Sequence, residues 1–272
     1  MSYSLPYYRD AGQIPGPLPD QNEIEQATRT LPKRSDYGGR MVVIRDKYVV
    51  KYGPLVTENE GYTLMFVENR LNIAAPRLYA MYRDQDILYI VMEYIPSVSL
   101  GMTWPSLTDS NKHSIRFHRP DFMAASTEDP FLIDTAVTGP FQTEEQFGKA
   151  IALRSKTMWS ESNGHSFLSD YLARHLPLAL RNHPPVFTHG DLSRDNVLVR
   201  KVTHSVTNEE EYEVAALVDW EAAGWYPSHW EYSHIFPLLQ WIDDWPVYVE
   251  KILDPLPLEG AMMRVVFSDL EF

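Results

Sequence analysis

Along residues 41–52, short apolar runs flank Arg45-Asp46-Lys47, a pattern that predicts a hairpin with Val49, Val50 and Lys51 on its second strand. A break at Gly53-Pro54 follows. Leu64, Val67 and Leu71 then recur at helical spacing within 57–71. Pro76 closes that region, and 78–82 and 87–93 read as two further strands around Asp84-Gln85-Asp86. Ahead of them, Asp20-Gln21-Asn22-Glu23 offers a capping box for a helix running to about residue 31. Residues 1–19 carry four prolines and no apolar period, which predicts an extended arm. The first hundred residues therefore read as strand–strand–helix–strand–strand.

The pattern changes beyond residue 100. Trp104-Pro105-Ser106-Leu107-Thr108 predicts a helix start, but 116–140 loses helical period and holds three prolines. Residues 144–158 and 165–181 regain it. A hairpin follows, with strands at 197–202 and 211–218 and a polar loop between them. After Asp219 the chain is dense in aromatics and holds five of its seven tryptophans, which predicts the core of a mainly helical region. There is no internal repeat.

The hairpin carries the candidate chemistry. Before it stands His189-Gly190-Asp191-Leu192 with Asn196; at its end stands Val218-Asp219-Trp220-Glu221. An acid at Asp191, an amide at Asn196 and a second acid at Asp219 suit phosphoryl transfer. One side chain orients and deprotonates a hydroxyl, and two hold a hard cation between phosphates. Any one of them alone reads as a loop acid or a cap. Together, each beside an apolar strand, they point to a site. Lys51, at the end of its strand, is a candidate for the phosphates of a nucleotide, fixed by a carboxylate of the next helix, Glu60 or Glu58. Gly39 is a weak candidate for a loop over those phosphates. Glu93 and Ile95 lie in the connector after the last strand, where backbone groups can meet an adenine edge or simply link two parts.

Composition narrows the partners. The net charge of −13 argues against a nucleic-acid backbone or an anionic membrane, and no apolar run is long enough to span a bilayer. An acidic cleft would concentrate a cationic substrate, although solubility accounts for the same charge. Asp243 and Asp244 would either line such a cleft or stand as exposed acids. With no cysteine and no basic-then-apolar leader in the sequence, a cytoplasmic protein is expected.

These motifs resemble the aminoglycoside phosphotransferase-like family, related to choline kinases and similar in fold to protein kinases. The resemblance rests on His189-Gly190-Asp191-Leu192 with Asn196, on Val218-Asp219-Trp220-Glu221, and on Gly224-Trp225-Tyr226-Pro227. Lys51-Tyr52-Gly53, Pro76-Arg77 and Val91-Met92-Glu93-Tyr94-Ile95-Pro96 also match. The wording, including Trp230-Glu231-Tyr232, is similar to the fungal branch, and the likeness runs with gaps from about residue 20 to 255. It implies an α+β, two-lobed, protein-kinase-like fold. A small N-terminal lobe at 20–95 would hold an antiparallel sheet plus a helix. A larger, mainly helical lobe would occupy 96–272. The family chemistry uses ATP and Mg2+ to phosphorylate a small-molecule hydroxyl. Carried over, Asp191 is the base, and Asn196 and Asp219 hold Mg2+. Lys51 contacts phosphates and pairs with Glu60, the choice the family register favours over Glu58; Glu93 and Ile95 hold adenine.

One stretch departs from the pattern. The family has a long helix after Trp104-Pro105-Ser106-Leu107, whereas 112–140 here is short and broken. That departure motivates an alternative, a catalytically impaired nucleotide- or metabolite-binding regulatory module. A transition-metal hydrolase built on His189, Asp191, Asp219 and His234 ranks below both.

Overall fold

The computed structural model describes residues 4–31, 39–115, 141–161, 164–203, 210–239 and 241–270. The chain is α+β, with an antiparallel sheet and a helix in its N-terminal part and a largely helical C-terminal part. It divides into two compact units, one formed by Met1–Asp121 with Ser193–Ala223 and the other by Phe122–Leu192 with Gly224–Phe272. Among the described residues no helix is long and apolar enough to cross a membrane.

In the first unit, β1 (Tyr7–Tyr8), β2 (Arg40–Ile44), β3 (Tyr48–Gly53), β4 (Leu78–Asp84) and β5 (Ile87–Glu93) form one sheet in the order β1-β4-β5-β3-β2, every neighbour antiparallel. The proline-rich arm is thus tied to the sheet edge through Tyr7 and Tyr8. Side chains alternate across a strand. Val42, Ile44, Tyr48 and Val50 lie in one core cluster with Ile24 of α1 (Gln21–Gln26), so Lys51 belongs to the opposite face. There it meets α2 (Asn59–Arg70).

Helix α1 begins as expected: Asp20 accepts from the Glu23 backbone at 2.9 Å, and Glu23 accepts from the Asp20 backbone at 3.2 Å. It stops at Gln26 rather than near residue 31. Ala27 turns extended, Thr30 bridges to Val42, and Leu31 donates to the Met41 carbonyl at 3.0 Å. Pairing beside β2 outcompetes continued helix, and Thr28 and Thr30 are β-branched residues that favour it.

The first unit also holds β6 (Val98–Ser99), β8 (Val197–Thr203) and β9 (Glu210–Leu217) in a second, three-stranded sheet. Short helices α3 (Leu100–Thr103) and α4 (Asp109–Ser114) follow β6; Thr108 caps α4 on the Asn111 backbone. The shortened stretch expected at 112–140 falls largely on 116–140, outside the described residues.

The second unit packs α5 (Glu144–Glu161), α6 (Phe167–Ala179) and α9 (Pro257–Leu270) around Ala152, Leu172, Leu176, Met263, Val266 and Phe267. It also contains the ribbon of β7 (Pro185–Thr188) and β10 (Gly224–Pro227), with α7 (Trp230–Ile235) and α8 (Trp245–Ile252). The tryptophan-rich stretch divides. Trp230 stacks on Tyr226 and meets Phe147 edge-on within this unit, and Trp245 is buried. Trp220, by contrast, is buried in the first unit, and Trp241 lies half exposed. Asp243 is exposed and accepts from the Trp245 backbone at 3.0 Å, the contact of an acid at a helix start.

Candidate functional site

In the first unit three carboxylates converge on the ammonium of Lys51. Its Nζ lies 2.7 Å from Glu60 Oε2 on α2, 2.8 Å from Asp219 Oδ1 and 2.8 Å from Glu221 Oε2. Lys51 and Glu60 are buried, whereas the side chains of Asp219 and Glu221 are 33% and 44% exposed. Burial by itself would pull the Lys51 ammonium down. Glu60, Asp219 and Glu221 outweigh it and hold the pKa above the ordinary lysine range. For Glu60, burial pushes the carboxyl up and Lys51 pulls against it. Glu58, the other carboxylate considered for Lys51, instead pairs with Arg83 at 3.1 Å and accepts from the Tyr62 hydroxyl.

Local structure sets Asp219 in place. Its backbone takes the left-handed conformation, φ 65° and ψ 60°, which a non-glycine residue adopts at a cost. The buried Trp220 indole donates to the Leu217 carbonyl at 2.9 Å, just before that turn. Just after it, Asn59 of α2 donates to the carbonyls of Glu221 and Ala223 at 2.8 and 3.0 Å. The Val218 amide donates to the Asn196 carbonyl at 2.9 Å, so Asn196 is registered one residue from Asp219. Thus Lys51, Glu60, Asn196 and Asp219 share one unit.

The donors around Asp219 are hard. One carboxylate oxygen from each of Glu60, Asp219 and Glu221 falls within 4.8 Å of the others, and three carboxylates face a single ammonium. An all-oxygen set with surplus negative charge fits Mg2+. Glu221 is the member that no expectation assigned, although it lies inside the quoted Asp219 motif.

Glu93 and Ile95 lie in the same unit. Glu93 ends β5 opposite Tyr48, its amide donates to the Arg77 carbonyl, and its carboxylate accepts from the Arg77 amide at 3.3 Å. The Tyr94 amide is tied to the Lys47 carbonyl, and the Ile95 carbonyl accepts from Ser97 Oγ at 2.8 Å. The connector is therefore a restrained strand end.

Asp191 stands in the second unit, after β7. Its loop is bound to α7 by one carboxylate: Glu231 Oε2 accepts from the backbones of His189 and Gly190 at 2.8 and 3.2 Å, and Oε1 from Leu192 at 3.2 Å. Asp191's own amide donates to His189 Nδ1 at 3.3 Å. Gly190 has φ 82°, a left-handed conformation that glycine adopts without strain. Burial raises the Glu231 carboxyl to about 7, against the pull of the three amides. Glu231 was visible in Trp230-Glu231-Tyr232, yet nothing in its spacing from Asp191 reveals that it holds the loop. Of the hydrolase candidates, His189 serves this loop, and neither metal-capable cluster among the described residues contains His189, Asp191 or His234.

Residues 126–252 match the phosphotransferase enzyme family, APH. The phosphotransferase match spans Asp191, Asn196 and Asp219 and stops short of Lys51, Glu60, Glu93 and Ile95. Aminoglycoside phosphotransferase APH(2'')-Ib, solved with ADP bound, is similar in fold: TM-score 0.56 at 12% identity, covering 89% of this chain and 76% of that one. The streptomycin–ATP complex of APH(2'')-IIa gives a TM-score of 0.52 at 13% identity, covering 92% and 79%. Among curated proteins no sequence matches.

Proposed function

We propose that the protein is an ATP- and Mg2+-dependent phosphotransferase that moves the γ-phosphate of ATP to a hydroxyl of a small molecule. The observation that carries this reading is the buried Lys51–Glu60 pair facing Asp219, itself registered to Asn196. An ammonium held by a helix carboxylate beside a metal-capable acid is what a nucleotide triphosphate needs.

In this reading Lys51 binds the α- and β-phosphates, and Glu60 holds its charge and position. Asn196 and Asp219 would hold Mg2+ through oxygen, with Glu221 as a neighbouring donor. Mg2+ bound there would neutralise phosphate charge. Glu93 and Ile95 present backbone groups to adenine. Asp191, on the loop tied to Glu231, orients the acceptor hydroxyl and takes its proton. The net charge of −13 supports a cationic acceptor.

Thermal shift with ATP, with and without Mg2+, followed by ADP release across a panel of hydroxylated and amino-bearing metabolites, tests the proposal. Asp219→Ala should abolish Mg2+-dependent nucleotide binding. Asp191→Ala should keep it while turnover falls at least about a hundredfold. Unchanged turnover in Asp191→Ala would overturn the assignment of the base. A folded protein that binds Mg2+-ATP yet turns over no member of the panel would favour the regulatory module.

A further inference from the structure

A second cluster, wholly within the second unit, has no part in this chemistry. Glu144 opens α5, His183 precedes β7, and His229 precedes α7. One ligand atom from each lies within 4.8 Å of the other two. Glu144 Oε1 is 2.6 Å from His183 Nδ1 and 3.5 Å from His229 Nε2. The imidazole rings sit 4.7 Å apart at 73°.

His229 gives the cluster its meaning. Its side chain has 0% exposure, and Nε2 has no hydrogen-bond partner. On its other edge Nδ1 lies 2.9 Å from Ser233 Oγ, which also lies within reach of the Trp230 carbonyl at 3.3 Å. When the hydroxyl donates to that carbonyl it accepts from Nδ1–H and Nε2 keeps a lone pair, the tautomer that a metal at Nε2 requires. In that tautomer the lone pair faces the Glu144 carboxylate oxygen 3.5 Å away. A cation between the two satisfies both.

His183 is arranged in the same way. Its Nδ1 faces Glu144, while Nε2 lies 3.4 Å from Glu259 Oε1 at the start of α9. Each imidazole thus has one nitrogen turned to the cluster and an oxygen behind the other, Glu259 Oε1 for His183 and Ser233 Oγ for His229. This is the outer arrangement that sets the tautomer and orientation of metal-bound histidines.

We propose that Glu144, His183 and His229 bind one divalent transition-metal ion of the Zn2+ type. Two imidazole nitrogens and a carboxylate oxygen suit Zn2+ far better than Mg2+, which favours oxygen donors alone. Ligand bonds of about 2.0–2.1 Å in a tetrahedron place donor atoms roughly 3.3 Å apart. The Glu144–His229 spacing of 3.5 Å already fits. The shorter Glu144–His183 contact opens when the metal takes the place of the Nδ1 proton. Side-chain exposures of 12% at Glu144 and 15% at His183 leave a way in. The ion would fasten the starts of α5, β7 and α7, the last two of which carry the Asp191 loop and Glu231.

Untagged full-length protein, stripped with a chelator and dialysed against Zn2+, should retain one equivalent per chain and melt at higher temperature. Co2+ in its place should show the visible bands of a tetrahedral site. Glu259→Gln should weaken Zn2+ binding about 10- to 100-fold. Glu144→Gln and His183→Gln should weaken it further, and Asp219→Asn should leave it unchanged. X-ray absorption of the Zn2+-loaded wild-type protein needs no variant and should count two imidazoles. Failure to retain stoichiometric Zn2+, fewer than two imidazoles, or binding that survives both ligand substitutions would overturn the proposal.

Discussion

Lys51 Nζ and Glu60 Oε2 stand 2.7 Å apart with both side chains almost wholly out of solvent. A buried pair is far costlier to break than to replace, because removing one partner strands the other charge. Lys51→Met leaves Glu60, Asp219 and Glu221 clustered without their cation. The expected loss is about 3–5 kcal/mol in a denaturant melt, together with loss of ATP binding. Lys51→Met with Glu60→Leu removes both buried charges and should recover much of that stability while nucleotide binding stays lost. A double variant no more stable than the single one would show that the pair does not stabilise by this route.

Asp219 occupies a left-handed backbone conformation that asparagine tolerates and alanine resists. Asp219→Asn and Asp219→Ala should therefore lose Mg2+-dependent nucleotide binding alike and differ in stability. The alanine variant should be less stable by about 1 kcal/mol. Equal unfolding midpoints would mean that the turn relaxes when the carboxylate leaves.

Gly101 approaches the segment between Asp191 and Asn196 closely. A Cβ at this position would fall 1.9 Å from Asp195 Oδ1, and the Gly101 amide donates to the Arg194 carbonyl at 2.9 Å. Ser99 Oγ, 3.2 Å from the same Asp195 oxygen, holds that contact from the other side. Gly101→Ala must displace the Asp195 carboxylate from Ser99 Oγ, which removes one restraint on the turn carrying Asn196. The affinity for Mg2+-ATP should fall by about tenfold or more while the melting temperature moves little, since the contact lies at the surface. Calorimetric titration with Mg2+-ATP reads both the affinity and the ion dependence.

What could be read in the chain follows from how far apart the interacting residues lie. Strands β2 to β5 and helix α2 were legible because each carries its own period and punctuation within a dozen residues. The Asp191–Asn196 and Asp219 motifs were legible for the same reason. The end of α1 was not, since Thr30 leaves the helix to pair with Val42 twelve positions later. Glu231 lies 39 to 42 positions from the amides it binds, and Glu144, His183 and His229 are separated by 39 and 46 positions. Neither grouping has a local spacing to announce it. Nor does hydrophobic content decide exposure for one residue: Trp241 stands half exposed between the buried Tyr232 and Trp245.

Glu231 links the acid–base behaviour of the fold to the Asp191 loop. Two effects oppose each other on this carboxylate. Burial favours the neutral acid, while the amides of His189, Gly190 and Leu192 favour the anion. Burial is the larger, and the pKa is raised from 4.5 to about 7. The folded state then binds a proton that the unfolded state has released, so stability falls as pH rises between those values. The difference of 2.5 units corresponds to about 3 kcal/mol, fully present below pH 4.5 and lost by about pH 7. Other groups titrate in the same window, so the comparison is with Glu231→Gln, which cannot ionise. Gln also turns an amide NH2 toward a backbone N–H, which should cost about 1–3 kcal/mol and loosen the Asp191 loop. Wild type should thus exceed the variant most at low pH, with the margin shrinking from pH 4.5 to 7 and constant above. A margin that is flat, or that widens with pH, would mean the three amide hydrogen bonds outweigh burial and Glu231 is an anion throughout.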